Sequence, residues 1–124
     1  MNQDFPSPHV LASIGCGWHV SELFDGRIQI KLRETELYLG LTDFRAFCVL
    51  VKQVCVCRPS HTALLAQAGE QRTIVYYPAQ RNIVVQFDQV VLCLTPRDLP
   101  LLVVLCRHAE ETLIHGDVQN QNGS

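Results

Sequence analysis

The chain has 124 residues, 48% of them hydrophobic and only 18% charged, with a formal net charge of −2. That length fits a single domain, and that composition excludes a disordered or fibrous chain, which carries too few apolar residues to build a core. The acidic balance also excludes a strongly basic surface of the kind that gathers nucleic acid or anionic lipid.

Near the N-terminus, the uncharged stretch Phe5–Ser21 is interrupted by Pro6, Pro8, Gly15 and Gly17. Its apolar part, Val10–Ile14, is shorter than a signal-peptide core and far shorter than a membrane span. A cytoplasmic protein with no membrane partner is therefore expected. Its six cysteines then read as reduced thiols. Cys48, Cys93 and Cys106 lie inside apolar runs and read as packing residues.

Trp18–Leu23 is predicted as a strand, and Phe24-Asp25-Gly26 as the loop that leaves it. Ile28-Gln29-Ile30-Lys31-Leu32-Arg33 alternates apolar and polar residues strictly, as a half-buried strand does. Glu34 and Thr35 can turn the chain. Leu37, Leu39 and Leu41 then alternate with Glu36, Tyr38 and Gly40 as a returning strand. Phe44, Phe47, Cys48, Val51, Val54 and Cys55 recur at helical spacing, so a helix follows, opened by Thr42 or Asp43 as N-cap. Arg58-Pro59 closes it. Ser60–Ala68 has helical propensity and stops at Gly69, a natural C-terminal cap.

Thr73–Tyr77 is predicted as the next strand, followed by a loop over Pro78–Arg81. Ile83, Val85 and Phe87 alternate, Asp88-Gln89 makes a tight turn, and Val90–Leu94 returns. The stripe Leu99, Leu102, Val103, Cys106, Ala109 and Leu113 predicts a second helix. Thr95-Pro96-Arg97-Asp98 has the form of a capping box, but Pro100 would then sit past the first turn, so Asp98 is the preferred cap. Residues 117–124 are polar and predicted to be a flexible tail.

Arg27–Val54 aligns with Asn82–Ala109 without a gap. Ile28/Ile83, Leu37/Leu92, Leu39/Leu94, Asp43/Asp98, Val49/Val104 and Leu50/Leu105 are identical pairs. An internal repeat is expected, with units of about 18–57 and 73–114 inside one domain, 1–124. The fold class is α+β: two β-β-β-α units in tandem, forming antiparallel sheet with two helices on one face.

Both helices are apolar beyond the stripe that a sheet needs. Val49 and Leu50 lie off the first stripe, and Leu101, Val104 and Leu105 off the second. Ala46 also lies off the first stripe. Either the two helices pack together over the sheet and cover the surplus, or Val49, Leu50, Leu101, Val104 and Leu105 form a homo-oligomer interface, and both can hold. Mean hydropathy at +0.11 and few charges to solvate the surplus favour the interface. Of the ten basic residues only Lys31 and Lys52 are lysine. The rest are arginine, the more weakly hydrated and interface-tolerant cation, although a GC-rich gene gives the same bias.

Soft metal ligands cluster at Cys16-Gly17-Trp18-His19 and at Cys55-Val56-Cys57-Arg58-Pro59-Ser60-His61. Cys16, His19, Cys57 and His61 would complete a tetrahedral zinc site. The Cys-x-Cys spacing is tighter than such sites use, and Cys55 falls on the apolar helix stripe. No bound metal or other cofactor is therefore expected, and a small Cys/His metal-binding protein is the alternative. A Cys-His nucleophile needs a depressed thiol pKa and a base within reach, and the sequence shows neither. Glu34/Glu36 and Glu110/Glu111 read as solvated surface charge. No Walker loop, G-x-G-x-x-G, H-E-x-x-H or G-x-S-x-G is present, which favours a non-enzymatic protein and leaves an enzyme built on a cleft between the two units as a third reading. Tyr76, Tyr77, Arg72 and Arg81 have the chemistry of a single-strand-binding patch. A pI near 6.2 and the lack of an RNP-like sequence favour ordinary edge-strand tyrosines.

Within Val20–Val51, the succession of Gly26, Ile28-Gln29-Ile30, Leu37–Leu41 and Asp43-Phe44 resembles small uncharacterised bacterial proteins of unknown function. In those proteins a Cys-x-x-Cys-Gly precedes a strand, a second strand and a helix opened by Phe. Glu22 and Asp25 stand where the two cysteines would be, so the resemblance implies neither an activity nor a metal site here. The function expected is a cytoplasmic, non-enzymatic binding or scaffold domain that self-associates.

Overall fold

The computed structural model describes residues 9–15, 17–54 and 63–123. In the first half, β1 (His9–Ile14), β2 (Trp18–Glu22), β3 (Ile28–Leu32) and β4 (Thr35–Leu39) form an antiparallel meander in sequence order, followed by α1 (Leu41–Lys52). In the second, β5 (Ala63–Gln67), β6 (Arg72–Tyr77), β7 (Asn82–Phe87) and β8 (Val90–Leu94) form another, followed by α2 (Asp98–Gly123). The chain is α+β, with two antiparallel four-stranded sheets and two helices.

The alternation of β3 is realised residue by residue: Ile28, Ile30 and Leu32 are buried while Gln29 and Lys31 are half-buried. β7 repeats the pattern with Ile83, Val85 and Phe87 inside. Two-residue turns close both hairpins, Arg33-Glu34 between Leu32 and Thr35 and Asp88-Gln89 between Phe87 and Val90. Arg33 and Asp88 carry the positive φ those turns need, at 61° and 57°.

Each sheet has one strand more than periodicity predicts. β1 and β5 contain β-bulges, between Val10 and Ala12 and between Leu64 and Ala66. A bulge puts an extra residue in one strand and breaks the two-residue period, so consecutive Leu11 and Ala12 are both buried. β5 also corrects the helix expected over Ser60–Ala68. Pairing with β6 gives Ala63–Gln67 a backbone ladder, and tertiary context overrides the helical propensity of its alanines and leucines.

The described backbone gathers into two compact units. The first sheet, α1 up to Arg45 and α2 from Leu105 onward make one; Ala46–Val104 make the other. In the first, Val20, Ile28, Ile30, Phe44 and Leu105 are wholly buried, and Thr112 Oγ1 donates to the Leu11 carbonyl at 2.8 Å. In the second, the rings of Phe47 and Phe87 meet edge-on, 5.5 Å apart at 76°. The Gln67 N–H there donates to Gln53 Oε1 at 3.3 Å. Each helix therefore places its C-terminal part with the sheet it does not directly follow in sequence.

α2 begins where Pro100 can be tolerated. With its first residue at Asp98, Pro100 falls in the first turn, where a missing N–H removes no helical bond. The Asp98 carboxylate reaches back to Thr95: Oδ2 accepts from the Thr95 N–H at 3.2 Å, and Asp98 N–H donates to the Thr95 carbonyl at 3.0 Å. That return bond has the form of a capping box's, while the helix itself begins at Asp98. The backbone of α2 continues to Gly123, into the segment whose composition predicts a tail.

Candidate interaction surface

Strand register determines what each sheet shows on the side away from its core. On the first sheet the outward rows are Val10–Ser21–Gln29–Tyr38 and Ser13–His19–Lys31–Glu36, each crossing all four strands. Apart from Val10 these rows are polar, Ser21 is buried within them, and Gln29, Tyr38 and Glu36 are joined by hydrogen bonds. Gln29 Nε2 donates to Tyr38 Oη at 3.1 Å, and Tyr38 Oη donates to Glu36 Oε2 at 3.1 Å. The Arg27 guanidinium stands 5.3 Å from the centre of the Tyr38 ring. Its Nε also donates to Asp25 Oδ2 at 2.7 Å, and the Arg27 backbone N–H donates to Asp25 Oδ1 at 3.0 Å. That backbone bond first, then the guanidinium, holds the Asp25 carboxyl below its ordinary range.

The second sheet shows a different face. Leu64 pairs with Val75, Val75 with Val84 and Val84 with Cys93, so one row of apolar side chains crosses every strand. The adjoining row is Gln67–Thr73–Gln86–Val91. Neither row contains a charged residue. Leu64 and Val91 are 55% and 59% exposed, and Cys93 is an exposed free thiol. Val75 and Val84, between the exposed ends of the apolar row, are half-buried.

Of the residues expected at an interface, some are exposed and others are not. Val49, Leu101 and Val104 are exposed, at 53%, 36% and 38%. Leu101 and Val104 lie three residues apart and share one side of α2. Leu50 and Leu105 are wholly buried within the single chain and are withdrawn from any interface. The core takes up more of both helices than one stripe, and these leucines are the part it takes. Cys48 and Cys106 are buried packing residues as expected, whereas Cys93 is not: strand alternation places Leu92 and Leu94 inside and Cys93 outside.

Of the possible zinc ligands, Cys16, Cys57 and His61 lie outside the described residues. His19 sits half-buried in the outward row of the first sheet, between Ser13 and Lys31. Among the described residues no three His, Cys, Asp or Glu side chains group as metal ligands. No helix among them is long and apolar enough to cross a membrane.

The tyrosine-arginine patch is not assembled. Tyr76 and Tyr77 are consecutive in β6 and point to opposite faces. Arg72 is engaged with Asp88, Nε to Oδ1 at 2.9 Å and Nη2 to Oδ2 at 2.8 Å, and lies 4.2 Å from the centre of the Phe87 ring.

Periodicity alone carried a signal for the apolar face. Val90-Val91-Leu92-Cys93-Leu94 is apolar at both parities, the pattern of a strand covered on both sides. No protein-family model matches the chain, and no curated protein sequence is significantly similar to it.

Proposed function

We propose that the protein is a cytoplasmic, non-enzymatic binding or scaffold domain that self-associates. The observation that carries this reading is the charge-free apolar row Leu64–Val75–Val84–Cys93, which crosses the second sheet and is exposed at both ends. Apolar area left in water costs free energy at roughly 25 cal/mol per Å², and a partner surface recovers it. Val49, Leu101 and Val104 add exposed apolar area in the same unit. Cys48, Cys93 and Cys106 form no disulfide, which fits a reducing compartment.

An internal duplication belongs to the same reading. The bulges of β1 and β5 stand at matching places in their sheets. The Arg33 N–H donates to the Gly17 carbonyl at 2.7 Å, and the Asp88 N–H to that of Gln71 at 2.8 Å, one bond in each unit. On this view the first copy acquired a polar outer face and the second kept an apolar one for binding.

Light scattering over a concentration series tests the reading. A mass above the 14.0 kDa of one chain, rising with concentration, is expected. A mass of one chain throughout the micromolar range would overturn self-association.

A further inference from the structure

Resting on that reading of self-association, we infer that two copies join through the free edge of β8, paired antiparallel across a twofold axis, so that their second sheets become one.

The first argument comes from the sheet edges. β1 and β5 each carry a bulge, which interrupts a regular ladder. β4 carries the charge of Glu36 among its five residues, a charge that disfavours burial against a further strand. β8 has no bulge, no proline and no charge over Val90–Leu94. It is the edge without protection.

The second argument is the direction of its backbone groups. The two-residue turn makes Phe87–Val90 a hydrogen-bonded pair, and the ladder then alternates through Val85–Leu92 and Ile83–Leu94. The N–H and C=O groups of Val91 and Cys93 consequently point away from β7. Among the described residues no backbone hydrogen bond outside the ladder reaches either residue.

The third argument is register. With the twofold axis at Leu92, Val91 pairs with the second copy's Cys93 and Cys93 with the second copy's Val91, each pair exchanging both hydrogen bonds. A register centred on Cys93 needs the Thr95 N–H, which already donates to Asp98 Oδ2. Centring on Leu92 meets no charge and uses only strand residues. It also sets Cys93, the end of the outward apolar row, against the second copy's Val91, since the two share the outer face. An isologous strand pair of this kind closes on itself as a dimer and leaves no repeat edge to propagate.

The occupant of the edge is thus a second copy of this chain, and two measurements test it. In the wild-type dimer, amide hydrogen exchange followed residue by residue should show Val91 and Cys93 protected, with that protection lost on dilution to the monomer. Val90, Leu92 and Leu94 should stay protected in both states. Val91→Pro removes only an outward N–H, so it should leave the fold intact and reduce the mass to that of one chain. If the mass is dimeric while the Val91 and Cys93 amides exchange freely, edge pairing is overturned and self-association stands. A folded Val91→Pro variant that remains dimeric has the same meaning. A wild-type monomer removes both.

Discussion

The Arg72 guanidinium grips the Asp88 carboxylate with two nearly equal hydrogen bonds, Nε to Oδ1 at 2.9 Å and Nη2 to Oδ2 at 2.8 Å. Asp88 is the first turn residue between β7 and β8, and Arg72 opens β6, so the pair ties a hairpin turn to the next strand. The bond from Arg72 is the main reason the Asp88 carboxyl lies below its ordinary range.

A depressed folded-state pKa sets the direction of the pH dependence. The unfolded chain takes up its proton at higher pH than the folded one, so stability rises with pH between the two values. The Asp88 contribution is complete above the unfolded value and is lost as pH falls through the folded one. Asp88→Asn should lower the melting temperature at neutral pH and converge with wild type in strong acid. Thermal melts across the acidic range check this, and a constant gap between the two proteins would contradict it.

Backbone strain at turns gives a second pair of outcomes. Arg81 holds a φ of 52° in an exposed loop, a conformation that costs an L side chain about 1–2 kcal/mol and glycine almost nothing. After the entropy glycine adds to the unfolded chain, Arg81→Gly should stabilise by roughly 0.5–1 kcal/mol. Gly17 is the converse, with φ at +81° and a Cβ position only 3.3 Å from the Arg33 Cα. Gly17→Ala should destabilise by about 1–2 kcal/mol. Denaturant titration of both variants reads the two signs directly.

Core packing in the second unit depends on Phe47. The side chain is wholly buried with its ring against Phe87. Phe47→Ala should cost roughly 3–5 kcal/mol through lost burial and the cavity it leaves. In the first unit, Thr112→Val removes the hydroxyl that donates to the Leu11 carbonyl and should cost about 1 kcal/mol. Equilibrium unfolding that ranks Thr112→Val as the more damaging change would contradict this assignment of the cores.

Zinc is expected well below one equivalent in the purified protein. His19 stands opposite Lys31 in the outward row of the first sheet, and a neighbouring ammonium opposes a dication at that imidazole. Elemental analysis decides it. Stoichiometric zinc that disappears on replacing His19 would bring the metal-binding alternative forward.

Local periodicity determined a large share of this protein. The alternation of Ile28–Leu32 and Asn82–Phe87, the residues between their hairpins and the helical stripes beginning at Phe44 and Leu99 are read from neighbours a few positions apart. Pleat and helix impose those periods whatever the rest of the chain does. Bulges removed that signal from β1 and β5, where two adjacent residues oppose one. Helical propensity over Ala63–Gln67 was too weak to resist pairing with β6.

Tertiary structure alone decided where the helices went. Phe47 packs with Phe87 of the following sheet, and Thr112 bonds to Leu11 of the first. Apolar burial is non-directional, so a stripe on a helix announces that it will be covered and not by which sheet. The same indifference separates Leu50, wholly buried, from neighbouring Val49, 53% exposed. Both are equally apolar in sequence, and only the assembled core shows which one it has room for.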